Sequence, residues 1–203
     1  MVKKYIILTV FMFVLAVGTL FFTETNKSKE TAPAQLLWDI VRPTRYVTTD
    51  QVARMIIQKD PSLEIIDVRD EDEFNHFALP GSINIPLDSL LNTNNLLYFG
   101  VSGINVIFIA NDDIASDQAW VLTKRLGFNS TYVMKGGLNR WMETIIRPEE
   151  PSEEEPASAY ATYEFRKGAM MYFTGADPGN AKTSEVTVSI KRRVKKNVVT
   201  GGC

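Results

Sequence analysis

The chain has 203 residues, 45% hydrophobic and 23% charged, which is enough for one ordinary domain with appendages. A formal net charge of −2 gives no overall electrostatic case for binding nucleic acid, although an acidic Pro-rich run (149–156) and a basic run (191–196) place charge unevenly. The one cysteine, Cys203, excludes an intrachain disulfide and leaves the redox compartment open.

Lys3 and Lys4 precede an uncharged run from Tyr5 to Phe22. At about 18 residues, that run is at the short end of what spans a bilayer. The positive-inside rule keeps the lysines in the cytoplasm, so residues 1–22 read as a signal anchor holding the domain on the extracytoplasmic (periplasmic) side. Cleavage is the alternative and would leave the domain secreted or periplasmic. Against it, the run exceeds a usual signal-peptide core, and Ala16 and Gly18 lie within it instead of forming a clean cleavage site.

Residues 23–45 are polar, with Pro33 and Pro43, and read as a tether in which Leu36 to Ile40 forms a short helical turn. Thr48 followed by Gln51 is a capping-box pattern opening a helix with Val52, Met55 and Ile56 on its buried stripe. Leu63 to Val68 reads as a buried strand that runs into Asp67, Arg69, Asp70, Glu71, Asp72 and Glu73. Charge at the end of an apolar strand is where α/β proteins place sites, but a structural ion pair between Asp67 and Arg69 is the simpler expectation. Leu79-Pro80-Gly81 marks a turn, Ser82 to Pro86 a short strand, Asp88 to Leu91 a helical turn and Asn92 to Asn95 a loop.

Val106 to Ile109 is a β-branched and aromatic strand, followed by the polar loop Asn111 to Asp113 and a helix with Ser116 expected as N-cap and Gly127 as its stop. Strand, loop and helix N-terminus together make an anion site, because loop N–H groups and the helix dipole converge there. Enzymes use such a site to activate a cysteine, and this loop holds none. Asp112, Asp113 and Asp117 match no cation-loop spacing, so no metal or cofactor is expected. Ser130 to Met134 reads as a strand, Gly136-Gly137 as a turn, and Leu138 to Ile146 as a helix burying Trp141. Strands alternating with helices predict a doubly wound, mostly parallel α/β sheet ending near Pro148.

The series VTTDQVARMI, EIIDVRDEDEFNHFALPGSINIPL and YVMKGGLNRW resembles a rhodanese-like (rhodanese-homology) domain over residues 46–148. The resemblance implies that family's α/β fold. In active members it implies transfer of sulfane sulfur through a persulfide on a loop cysteine, which lies six positions before a serine at the helix start. Counted back from Leu126-Gly127-Phe128, Ser116 matches that serine and Ala110 falls on the cysteine, with Asn111, Asp112, Asp113, Ile114 and Ala115 between. The Arg and Gly usual in that loop are missing, and the family's His falls on Ala78, with His76 two positions early. Ala110 cannot form a covalent intermediate, and two carboxylates would repel an anionic substrate, so catalysis is not expected. His76 reads as a rim residue.

Beyond the domain, residues 149–158 are an acidic linker, 159–173 an amphipathic helix needing a cover, and 174–203 a basic flexible tail suited to solubility or to an anionic lipid surface. The expected protein is therefore a membrane-anchored, inactive rhodanese-like domain that binds or scaffolds a protein partner. Its residual pocket would run from Ala110 to Ser116 beside Asp67 and Arg69. The alternative is sulfur handling in which Cys203, on a Gly-Gly arm, carries the thiol.

Overall fold

A computed structural model describes residues 5–7, 9–14 and 30–176 of the chain. By backbone contacts the chain divides into a unit of residues 1–30 and a unit beginning at Thr31. Residues 5–7 and 9–14 are helical, and the rest of the expected anchor lies outside the described residues. Among the described residues, no helix is long and apolar enough to cross a membrane. Cys203 and most of the basic tail also lie outside them.

In the second unit the elements run α1 (Pro33–Val41), β1 (Tyr46–Val47), α2 (Thr49–Gln58), β2 (Leu63–Asp67), α3 (Glu71–His76), β3 (Ile83–Asn84), β4 (Asn105–Ile109), α4 (Asp113–Arg125), β5 (Thr131–Met134), α5 (Gly137–Trp141) and α6 (Ala157–Thr174). The five strands form one sheet in the order β1-β5-β4-β2-β3, and every pairing is parallel. Side chains alternate between the two faces of a strand, so β4 feeds two cores. Ile107 and Ile109 pack with α2, α5 and α6 on one face. Val106 and Phe108 pack with Ala119 and Trp120 of α4 on the other.

The helix ends show how local chemistry sets the elements. Thr48 Oγ1 accepts the Gln51 N–H while the Gln51 side chain accepts the Thr48 N–H, the expected capping box. The helix expected over Leu138 to Ile146 begins one residue earlier and changes to a π-helical turn at Met142–Ile146. Thr144 interrupts it by donating to the Arg140 carbonyl and meeting Thr49 Oγ1 across the core at 2.7 Å.

Both flanking segments join the domain. The tether expected over residues 23–45 ends early, because Thr31 donates to the Arg125 and Lys124 carbonyls and Ile40 packs on the α4 face. The amphipathic helix expected over 159–173 spans Ala157–Thr174 and covers the α2 and α5 face, with Ala169 buried and Phe173 edge-on to Trp141 at 5.0 Å. Arg166 donates both Nε and Nη2 to the Asp50 carboxylate, at 2.8 and 2.7 Å.

Phe173→Ala should therefore cost about 2 kcal/mol, below the roughly 3–5 kcal/mol of a fully buried aromatic deletion because the ring is only partly buried. An Asp50→Ala/Arg166→Ala double-mutant cycle should give a coupling of about 1 kcal/mol or less, since both side chains keep some water. Urea denaturation of the single and double variants measures both.

Candidate functional site

The sheet reverses its strand order between β2 and β4, since the chain goes from β2 outward to β3 and from β4 the other way to β5. Loops leaving β2 and β4 therefore part, and the crevice at their C-terminal ends is where open parallel sheets place sites. Asp67 and Ile109 are register partners there, so the β2 exit and the loop after Ile109 face each other.

Asp67 is fully buried and must be compensated. Arg69 does so: its Nε lies 3.0 Å from Asp67 Oδ1, its Nη2 2.6 Å from Oδ2, and its backbone N–H also donates to Oδ1. The same guanidinium donates to the Phe77 carbonyl at 2.6 Å and to Asn111 Oδ1 at 3.3 Å. The expected ion pair is thus present, and it also ties the β2 exit to the segment after α3 and to the loop after β4. Asn111 completes the link by donating to Glu73 at 2.7 Å.

Helix α4 starts at Asp113, so Ser116 does not cap it. Asp112, in extended backbone, accepts the Ile114 N–H at 2.9 Å and is the N-cap. An aspartate caps as well as a serine and stands earlier in the chain, so it opens the helix four residues sooner. Ser116 is buried within the first turns, and its Oγ has no hydrogen-bond partner.

Neighbouring segments also bond to the loop. Asp113 accepts the Gly136 N–H. The Leu138 and Asn139 N–H groups at the start of α5 donate to the Ala110 and Asn111 carbonyls at 2.8 and 3.0 Å. This approach requires Gly137: with φ +56°, a Cβ there would lie 2.5 Å from the Ala110 oxygen. Ala110 is buried, whereas Ile114 at the loop's end is 67% exposed. His76 is exposed at the last position of α3, and Ala78 is half-buried.

The three carboxylates Asp112, Asp113 and Asp117 have separate partners, and among the described residues no acidic, His or Cys cluster could hold a metal ion. Asp117 belongs to a second network. Arg45 Nε donates to its Oδ1 at 2.9 Å, Tyr46 OH donates to its Oδ2 at 2.7 Å, and Arg45 Nη2 donates to Tyr46 OH. Arg45 also lies over the Tyr46 ring at 4.4 Å. Burial and the hydrogen bond to Asp117 push the Tyr46 phenol above its ordinary value. Burial alone would lower Arg45, but its pairing with Asp117 raises it on balance. The sequence gives no local sign of this network, because Arg45 and Asp117 stand 72 residues apart. Arg45 and Asp117 also help to line a cavity of about 510 Å³, together with Ile40, Leu87, Gln118, Val121 and Leu122.

Residues 48–144 match the family model for the rhodanese-like domain. The thiosulfate sulfurtransferase GlpE of Shewanella oneidensis is 28% identical over 102 residues, covering 49% of this chain and 93% of GlpE. A protein of Buchnera aphidicola is 29% identical over 108 residues, 52% of this chain and 73% of that one. Among solved structures, a rhodanese-like domain protein of Staphylococcus aureus aligns with a TM-score of 0.44 at 20% identity, covering 52% of this chain and 99% of that one. The chain carries a rhodanese-like domain over residues 48–144, of a family that includes sulfurtransferases.

Two outcomes follow. Arg69→Ala leaves the Asp67 carboxylate buried and uncompensated, and should cost about 3–5 kcal/mol in urea denaturation, whereas Arg69→Ala/Asp67→Asn should recover part of that loss. The raised Tyr46 means that the folded state holds its phenol proton more tightly than the unfolded chain does. That contribution is fully present below the unfolded value of about 10 and is lost as pH rises through the folded one. Tyr46→Phe should therefore flatten the alkaline fall in thermal stability, measured by melting at a series of pH values.

Proposed function

We propose that this protein is a membrane-tethered rhodanese-like domain that does not transfer sulfur and acts as a binding or scaffold module for a protein partner. The observation that carries the reading is the way the loop after β4 is filled. At Ala110, the position that the family resemblance assigns to the nucleophile, there is a buried methyl group. Of the loop's own N–H groups, that of Ile114 is taken by Asp112, while Asp113 and the Ala110 and Asn111 carbonyls accept from Gly136, Leu138 and Asn139 around it. An incoming sulfur anion would meet the two carboxylates of Asp112 and Asp113 at the start of α4.

The same geometry argues against a ligand seated in the loop, because Ala110, Ser116, Asp67 and Arg69 are all buried. Recognition by this domain then belongs to its outer surfaces, with the loop as a rigid support. The membrane tether rests on the uncharged run from Tyr5 to Phe22 and the lysines before it.

A thiosulfate-to-cyanide sulfurtransferase assay on the full chain, on Cys203→Ser and on Ala110→Cys tests the reading. All three should stay at the uncatalysed rate. Activity in the unmodified chain that Cys203→Ser removes would overturn the proposal and make Cys203 a thiol carrier. Activity only in Ala110→Cys would show that the loop admits sulfur anions, and the exclusion argument would fail.

A further inference from the structure

The outward side of α1 is anomalous for a surface helix. Ala34, Leu37, Trp38 and Val41 stand at helical spacings of three and four, which places them on one face. That face is exposed: Leu37 is 65%, Trp38 65% and Val41 71% accessible. The opposite side holds the helix to the domain, with Ile40 packed on the α4 core and Asp39 3.5 Å from Lys124. A helix packed only on a domain would carry its apolar stripe inward. Here a tryptophan and two aliphatic side chains form a contiguous patch facing away from the sheet.

Sequence position says what covers it. Thr31, two residues before α1, is held by hydrogen bonds to the Arg125 and Lys124 carbonyls at 2.8 and 2.6 Å. Only residues 23–30 separate Phe22, the end of the uncharged run, from that fixed point. Fully extended, eight residues reach about 28 Å at most. If residues 1–22 sit in a bilayer, α1 cannot leave the neighbourhood of its surface, and its exposed side has the composition of an interfacial helix, with an amphipathic tryptophan beside Leu and Val.

We infer that α1 lies on the membrane surface with Leu37, Trp38 and Val41 inserted among the acyl chains, so that the domain is held to the bilayer at a second point and in one orientation. This inference rests on the tether proposed above. It deepens that reading by making the lipid surface a binding partner of the folded domain itself. The opposite face of the domain, covered by α6, would then be turned towards other partners.

Tryptophan fluorescence of the full chain reads this directly, because Trp38 is the exposed one of three tryptophans while Trp120 and Trp141 are buried. The full chain is reconstituted into phosphatidylcholine vesicles containing phosphatidylglycerol, with either ordinary or brominated acyl chains, and recovered by flotation. Brominated lipid should quench the emission component that Trp38→Phe removes by roughly two-fold, and aqueous iodide should not reach it. Leu37→Ser/Val41→Ser should still float and keep its buried-tryptophan emission, yet lose most of the lipid quenching and gain iodide quenching.

Flotation with Trp38 open to iodide and unquenched by brominated lipid would overturn the inference and leave the tether standing. Trp38 shielded from iodide yet untouched by bromine would also overturn it, the cover then being protein, whether residues 1–29 or a second copy. Failure to float would overturn the tether itself and the inference with it.

Discussion

The constraint on which the site depends is the carboxylate of Asp67, buried at the end of a central strand. A bare charge there would be untenable, and the cation that answers it has to fit a narrow space between β2 and β4. Arginine suits the role because its planar fork can pair in a bidentate way and still direct N–H groups elsewhere. Arg69 uses that capacity to reach Phe77 and Asn111, so one pairing fixes the β2 exit, the end of α3 and the loop after β4. The strand end is held from the other side by Asn84, whose amide donates to the Asp67 and Arg69 carbonyls. Such a pair contributes little net stability compared with an apolar substitute. What it supplies is position.

Whether a loop held in that way suits an anion depends on the charges placed around it. Here the chain supplies its own acceptors. Asp112 satisfies the start of α4, Asp113 satisfies the β5–α5 turn, and the loop carbonyls satisfy the start of α5, which can approach because Gly137 has no side chain. Internal groups compete with a ligand at high effective concentration, and their charge adds repulsion to competition. Ser116 shows the residue of this arrangement: its hydroxyl is buried beneath the loop without a partner. A single Ala110→Cys replacement would introduce a thiol but leave this electrostatic setting unchanged.

Much of the fold was legible because its signals are local. Thr48 and Gln51 announce a capping box, and the run at Val106 to Ile109 announces a strand buried on both faces; both are found as read. The Asp67–Arg69 pair was legible too, being two residues apart at a strand end. The N-cap of α4 was not. Asp112, Asp113 and Ser116 are all good caps, and the choice is made by distant partners, since Asp113 is drawn to Gly136 and Asp117 to Arg45. Residues 31–45 misled for a related reason. Two prolines and a polar start suggest a tether, yet Pro33 is a favourable first residue of α1, and the hydrogen bonds of Thr31 come from the far end of α4.

The two added helices differ in a way that bears on their roles. Helix α6 places Phe165, Ala169 and Phe173 on the α2 and α5 face and locks itself with the Arg166–Asp50 pair, so its apolar side is used up within the domain. Helix α1 commits Ile40 and Asp39 to the domain and leaves Leu37, Trp38 and Val41 in water. Packing alone explains α6. It does not explain α1, because a nine-residue helix held mainly by Ile40 and Asp39 would be better served by polar residues on its outer side. An outward apolar stripe gains free energy only against something apolar. On the proposed tether, the nearest apolar medium within reach of α1 is the bilayer.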